Sequence, residues 1–154
     1  KPQLNYKRIT CVSILSSISQ EKISNGEIIM IGYVMVGTND LIASAKFYDP
    51  VLTSLGLARG LTEPDYIAYG AKETPEKIEF YLTKPFNGEE ASFGNGAMIA
   101  MLVKSRGDVD NFHATALANG GLDEGKPGTR IDGDETYYAY TRDPDGNKIC
   151  GYCE

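Results

Sequence analysis

The sequence predicts an α+β fold built from two β-α-β-β-β modules in tandem, and three observations carry that expectation. Apolar residues recur at helical spacing over residues 41 to 55 and again over 109 to 117, and β-prone runs flank both stretches. The run Lys77-Ile78-Glu79-Phe80-Tyr81-Leu82 is echoed by Lys148-Ile149-Cys150-Gly151-Tyr152-Cys153, with Lys, Ile and Tyr in register, as a duplicated module would have. Between the two halves, residues 85 to 95 form a Gly-containing connector of the length expected for a joint.

In chain order, residues 9 to 18 fit either a short helix or an extra edge strand, and that choice stays open. Asn25-Gly26 marks a tight turn, after which residues 27 to 37 read as a strand with Tyr33 and Met35 on one face and Val34 and Val36 on the other. Thr38-Asn39-Asp40 offers cap chemistry for a helix whose stripe is Leu41, Ala45, Tyr48, Leu52 and Leu55. Pro50 inside the stripe removes a backbone donor and is expected to kink the helix or end it after Asp49, with Gly56 as the final stop. Residues 57 to 61, 66 to 71 and 77 to 83 read as three strands. The second module opens with a strand over 97 to 104. Ser105 and Asp108 then make a capping box, and Val109, Phe112, Ala116 and Leu117 form a stripe that Gly120-Gly121 terminates. A short strand is expected near 129 to 132. Last comes a hairpin whose turn is Asp143-Pro144-Asp145-Gly146-Asn147.

Bulk properties narrow the class. A chain of 154 residues is one domain in size and would bury about 70% of its unfolded surface. Lys and Arg number 15 against 21 Asp and Glu, a net charge of -6, with no clustered basic stretch. Nucleic acid is therefore not an expected partner. No apolar run approaches the roughly 20 residues that span a bilayer, so no membrane helix is expected. Three cysteines do not make a disulfide framework, which points to the cytoplasm. Serines interrupt the weakly apolar run after Lys7-Arg8, which argues against a secretory signal there.

Arg-Asp-Pro-Asp-Gly-Asn before a terminal strand resembles the end of glyoxalase, bleomycin-resistance and extradiol-dioxygenase proteins, the vicinal oxygen chelate superfamily. Phe47-Tyr48-Asp49-Pro50-Val51-Leu52, Gly94-Asn95-Gly96, Phe112-His113-Ala114 and Gly120-Gly121 extend the resemblance, in order and spacing, over residues 31 to 154. It implies a domain over 30 to 154, with modules at about 30 to 84 and 96 to 154, and leaves 1 to 29 as an extension of unclear status. The implied fold is a cup of curled mixed sheets with helices outside. Homodimers are common in the superfamily, so a homodimer is expected on that ground alone.

By the same resemblance Tyr33, Glu79, Met98 and Cys150 occupy the metal-ligand positions at the base of the cup. Such metals want His and carboxylate, but the chain has one histidine, His113, on the second helix and outside the cup. Of the four positions only Glu79 holds a conventional ligand. Zinc held by Glu79, Cys150 and a Tyr33 phenolate would need a shift of about 3 units from a tyrosine pKa of about 10. No cofactor is expected, with a divalent metal as the weaker alternative. Alternation places Met35, Tyr81, Ala100 and Tyr152 in the same cavity. Cys153, three residues beyond Cys150 on a strand, should point to the opposite face, so the C-x-x-C is read as two unpaired thiols.

The calcium-like spacing of Asp143, Asp145, Asn147 and Glu154 reads as a turn, because Lys148 stands where a calcium loop needs Gly. Asp132-Gly133-Asp134-Glu135 reads as a solvated acidic loop. The first functional reading is a metal-free cup lined by Tyr33, Met35, Glu79, Tyr81, Met98, Cys150 and Tyr152 that binds a small apolar or aromatic molecule. The alternative is a divergent or metal-dependent enzyme of lyase or dioxygenase type acting on a small carbonyl or diol compound. In that reading Glu79 is the base, and Cys150 or Tyr33 assists. A third is a purely structural or interaction module.

Overall fold

In the computed structural model Asp40 opens the first helix by accepting from the backbone N–H of Ile42 and Ala43, at 3.0 and 2.9 Å. The structure describes residues 31–154, of which 33–154 form one unit. The expectations for residues 1 to 29 and for the start of the first strand fall outside the described residues. In chain order the elements are β1 (Val34–Gly37), α1 (Leu41–Ser54), β2 (Leu57–Thr62), β3 (Tyr66–Ala71) and β4 (Ile78–Thr83). They continue with β5 (Ile99–Leu102), α2 (Arg106–Ala118), β6 (Leu122–Thr129), β7 (Tyr137–Arg142) and β8 (Lys148–Cys153). Among the described residues two four-stranded sheets result, ordered β1-β4-β3-β2 and β5-β8-β7-β6. In both, the first strand of the module pairs parallel to the last, and the other pairs are antiparallel. This is the duplicated β-α-β-β-β architecture, and the sheets remain separate rather than closing into a barrel.

One hydrophobic core serves both modules. Phe47, Tyr48, Val51 and Leu52 of α1 and Val109, Phe112 and Ala116 of α2 pack with Phe80 and Leu82 of β4 and Ile149 and Cys153 of β8. The core face of each sheet is thus the helix-covered one. By alternation the opposite faces carry Tyr33, Met35, Glu79 and Tyr81 on the first sheet, and Ala100, Leu102, Tyr138, Tyr140, Cys150 and Tyr152 on the second.

Some boundaries differ from the sequence reading. Of the two expectations at Pro50, an end after Asp49 is not met, because the helix runs through Pro50 to Ser54. The carbonyl that Pro50 leaves without its helical donor belongs to Lys46, on the exposed side of α1, where water can reach it. In α2 the stripe turns slightly, burying His113 and leaving Leu117 exposed. The strand expected near 129 to 132 is instead the eight-residue β6, Leu122–Thr129. Its register against β7 shifts twice, which lets a Gly-rich and Pro-containing stretch pair at all. Gly151, at the centre of β8, lies against Phe112, and a Cβ there would come within 2.7 Å of the ring.

The hairpin turn joins the modules. Asp143 accepts from the Asn147 backbone N–H at 2.7 Å, as a turn requires. It also accepts from Tyr48 OH at 2.7 Å, and both side chains are buried. Asp145 accepts from Ser44 Oγ at 2.6 Å and from the Asn39 backbone N–H at 3.1 Å. Asn147 donates to the Gly37 carbonyl at 3.1 Å. The turn that sequence resemblance singled out therefore clamps the N-terminus of α1, about a hundred residues earlier in the chain.

Candidate functional site

Among the described residues no helix covers the second face of either sheet, and the residues assigned to the cup lie along these two faces. On the first, Tyr81 of β4 sits edge-on to Tyr33 at 5.1 Å between ring centroids and to Tyr66 at 5.8 Å. On the second, Tyr138 is stacked with Tyr140 at 6.0 Å and with Tyr152 at 5.8 Å, the planes tilted by only 14° and 17°. Strand pairing produces this ladder, because Tyr138 is the register partner of Tyr152 and Tyr140 follows two residues on.

The seven lining residues do not share one environment. Tyr33, Met35 and Met98 are 57, 52 and 46% exposed, Glu79 is exposed, and Tyr81 and Tyr152 are half-buried. Met35 and Met98 come together in a cavity of about 240 Å³ that Phe93, Asn147 and Lys148 also line. Cys150, by contrast, is fully buried, with Ala100 and Tyr140 as its register partners. Burial pushes its thiol up to about 11 against the opposing pull of Arg130 and Lys148. That is the wrong direction for a nucleophile, which works as the thiolate. Glu79, in turn, lies on an exposed strand position instead of in a desolvated pocket, so the expected burial of its carboxylate is not found.

The donor set at the four ligand positions does not fit a divalent metal. Only Glu79 is a conventional ligand; Tyr33 precedes β1 and offers a phenol, Met98 precedes β5 and offers a thioether, and Cys150 is fully buried. Among the described residues no group of three or more His, Cys, Asp or Glu side chains could hold a metal ion. His113 is buried on α2 and bonded through Nε2 to Asp123 at 3.1 Å, on the helix side of the fold. Asp143 and Asp145 are committed to the module clamp, and Gly94-Asn95-Gly96 makes a turn closed by Ala97 N–H on the Gly94 carbonyl at 3.1 Å. In the acidic loop Asp134 accepts from Thr136, and Glu135 pairs with Arg106. Cys150 and Cys153 are both free.

The sequence reading missed the cations that border the tyrosine ladder. Arg130 lies 5.0 Å from the Tyr140 ring centroid and Lys148 lies 5.1 Å from it. Lys148 was legible as a β8 residue on the same face as Cys150 and Tyr152. Arg130 was not, because it follows an irregular strand whose register the sequence does not fix.

No helix among the described residues is long and apolar enough to cross a membrane. The Glyoxalase/Bleomycin resistance protein/Dioxygenase superfamily model matches residues 30–150. No curated protein matches the chain. Among solved structures, a glyoxalase/bleomycin resistance protein from Albidiferax ferrireducens is 41% identical at a TM-score of 0.71, over 81% of this chain and 98% of that one. A glyoxalase-related enzyme from Fulvimarina pelagi is 21% identical at 0.64, over 82% of this chain and 89% of that one. A lactoylglutathione lyase from Agrobacterium tumefaciens is 19% identical at 0.57, over 80% of this chain and 92% of that one. The last two share the fold.

Proposed function

Because this chain belongs to the Glyoxalase/Bleomycin resistance protein/Dioxygenase superfamily, we propose that it binds a small aromatic molecule on the helix-free faces of its sheets, without a metal cofactor. The observation that carries this reading is the pair of tyrosine clusters, Tyr33–Tyr81–Tyr66 and Tyr140–Tyr138–Tyr152, one on each face. Aromatic side chains present flat, rigid contact area, and each can stack or pack edge-on against a planar ligand. The methionines at the module junction, Met35 and Met98, add an adaptable apolar wall. Lyase or dioxygenase chemistry would need an activated group on these faces. Neither the buried thiol of Cys150 nor the exposed carboxylate of Glu79 has the surroundings that activate one.

The same faces support a homodimer. Tyr33, Met35, Met98 and Leu102 are all large apolar residues left substantially exposed by one chain. A second copy laid against these faces removes that surface from water and encloses the ligand between tyrosine clusters. Thermal melts with a series of neutral aromatic and matched aliphatic compounds test the reading. A ligand at a hundred times its Kd adds about 2.7 kcal/mol to stability, so aromatic members should raise Tm and aliphatic ones should not. Equal shifts from both series would overturn it.

A further inference from the structure

The second sheet's aromatic face carries a charge that is prepared for a ligand. Arg130 is held by three backbone carbonyls: Nη2 donates to Lys126 at 2.6 Å and to Tyr138 at 3.3 Å, and Nη1 donates to Thr129 at 3.4 Å. Glycines make this possible. A Cβ at Gly125 would stand 2.7 Å from the Tyr140 ring, and one at Gly128 would stand 3.2 Å from Nη1 of Arg130. The guanidinium is therefore set over Tyr140 before any ligand arrives, and fixing it costs little further side-chain entropy on binding.

Its partners are all uncharged. Arg59, Arg106 and Arg142 each pair with a carboxylate, whereas among the described residues none pairs with Arg130. Lys148 adds a second cation at the same ring, partly balanced by Glu124, which lies 3.3 Å from it and 2.6 Å from Arg142. An uncompensated, oriented guanidinium beside a tyrosine ladder, in a chain of net charge -6, is a local exception to the overall charge. Of the five guanidinium donors the carbonyls take three, which leaves Nε–H and one Nη1–H, with the full positive charge, for a carboxylate, sulfonate or phosphonate.

We propose that this face selects aromatic ligands bearing an anionic group, with Arg130 receiving the anion and the Tyr138–Tyr140–Tyr152 ladder receiving the ring. The inference rests on the reading of these faces as an aromatic-ligand site.

Two dyes that share one ring system test it: anilinonaphthalenesulfonate, which is anionic, and N-phenylnaphthylamine, which is neutral. In fluorescence titrations the wild type should bind the sulfonate about tenfold tighter at low salt, and the advantage should shrink as salt screens it. Arg130→Gln should remove the advantage while leaving the neutral dye within about twofold. No wild-type preference for the sulfonate, or equal weakening of both dyes by Arg130→Gln, would overturn the proposal. Should Arg130→Gln fail to fold, the wild-type preference and its salt dependence decide. Tyr138→Ala separates the two levels. If it does not weaken the neutral dye, the aromatic-face reading fails and the charge inference fails with it. If it does and the sulfonate is not preferred, the charge inference alone is overturned.

Discussion

Ser44 Oγ donates to Asp145 Oδ2 at 2.6 Å across a separation of about a hundred residues, tying the first turn of α1 to the terminal hairpin. Ser44 is itself bonded to Thr38 at 2.5 Å, and both are buried. The clamp joins the two modules that must stay in register for the helix-free faces to be aligned. Asp145→Ala should therefore destabilise the protein by about 1 to 3 kcal/mol, the range for leaving such donors unmade. Denaturant melts of Asp145→Ala, Ser44→Ala and the double variant should show non-additive losses; strictly additive losses would mean that the bond carries no coupling.

The clamp also has a pH signature. Burial works against the charged form of Asp145, yet bonds from Ser44, Thr38 and Asn39 outweigh it and hold the carboxyl below the usual range. A depressed folded-state pKa gives stability that is complete above the unfolded value, about 3.9, and is lost as pH falls through the folded value. Asp143 goes the other way. Burial raises its carboxyl against bonds from Asn147 and Tyr48, so its contribution to stability falls as pH rises through its folded value. Stability measured from pH 3 to 7 should drop on the acid side less in Asp145→Ala than in wild type; an unchanged slope contradicts the assignment.

How far the sequence reached depends on the kind of constraint. The β4 and β8 echo located both parallel-paired strands, because a duplicated strand repeats its core contacts: Phe80 and Leu82 face the core in one module and Ile149 and Cys153 in the other. Alternation likewise placed Tyr33, Met35, Tyr81 and Tyr152 on helix-free faces. What remained illegible was set by distance along the chain. Nothing local in Asp143-Pro144-Asp145-Gly146-Asn147 says that its carboxylates reach Tyr48 and Ser44. Local rules could not choose between a kink and an end at Pro50, whose cost depends on the exposure of the turn before it, and they misplaced β6, whose glycines accommodate Tyr140 and Arg130. Cys150 was expected to face the cavity as its most nucleophilic side chain, yet it is fully buried.

That depth has a chemical consequence. With its pKa pushed up to about 11, the Cys150 thiol at pH 7 is ionised in only about one molecule in ten thousand. Alkylation by iodoacetamide, followed by mass spectrometry of the terminal peptide, should leave Cys150 unmodified in the folded protein and modify it on unfolding. Rapid native labelling would restore it as a candidate nucleophile.

Packing between α2 and β8 should be unforgiving. Gly151→Ala puts a Cβ 2.7 Å from Phe112, inside contact distance, and neither element is free to withdraw from the core. The loss should be about 1 to 3 kcal/mol. Glu79→Gln, at an exposed position, should stay within about 0.5 kcal/mol of wild type in the same melts.

Whether the tyrosine faces hold a flat ligand with no metal is tested most directly by one titration. N-phenylnaphthylamine is titrated into wild type dialysed against a chelator, into undialysed wild type, and into the Tyr81→Ala/Tyr138→Ala variant. Equal affinity in the two wild-type samples, with at least about tenfold weaker binding in the variant, is the predicted result. Binding that vanishes on chelation, or that survives loss of both tyrosines, would contradict it.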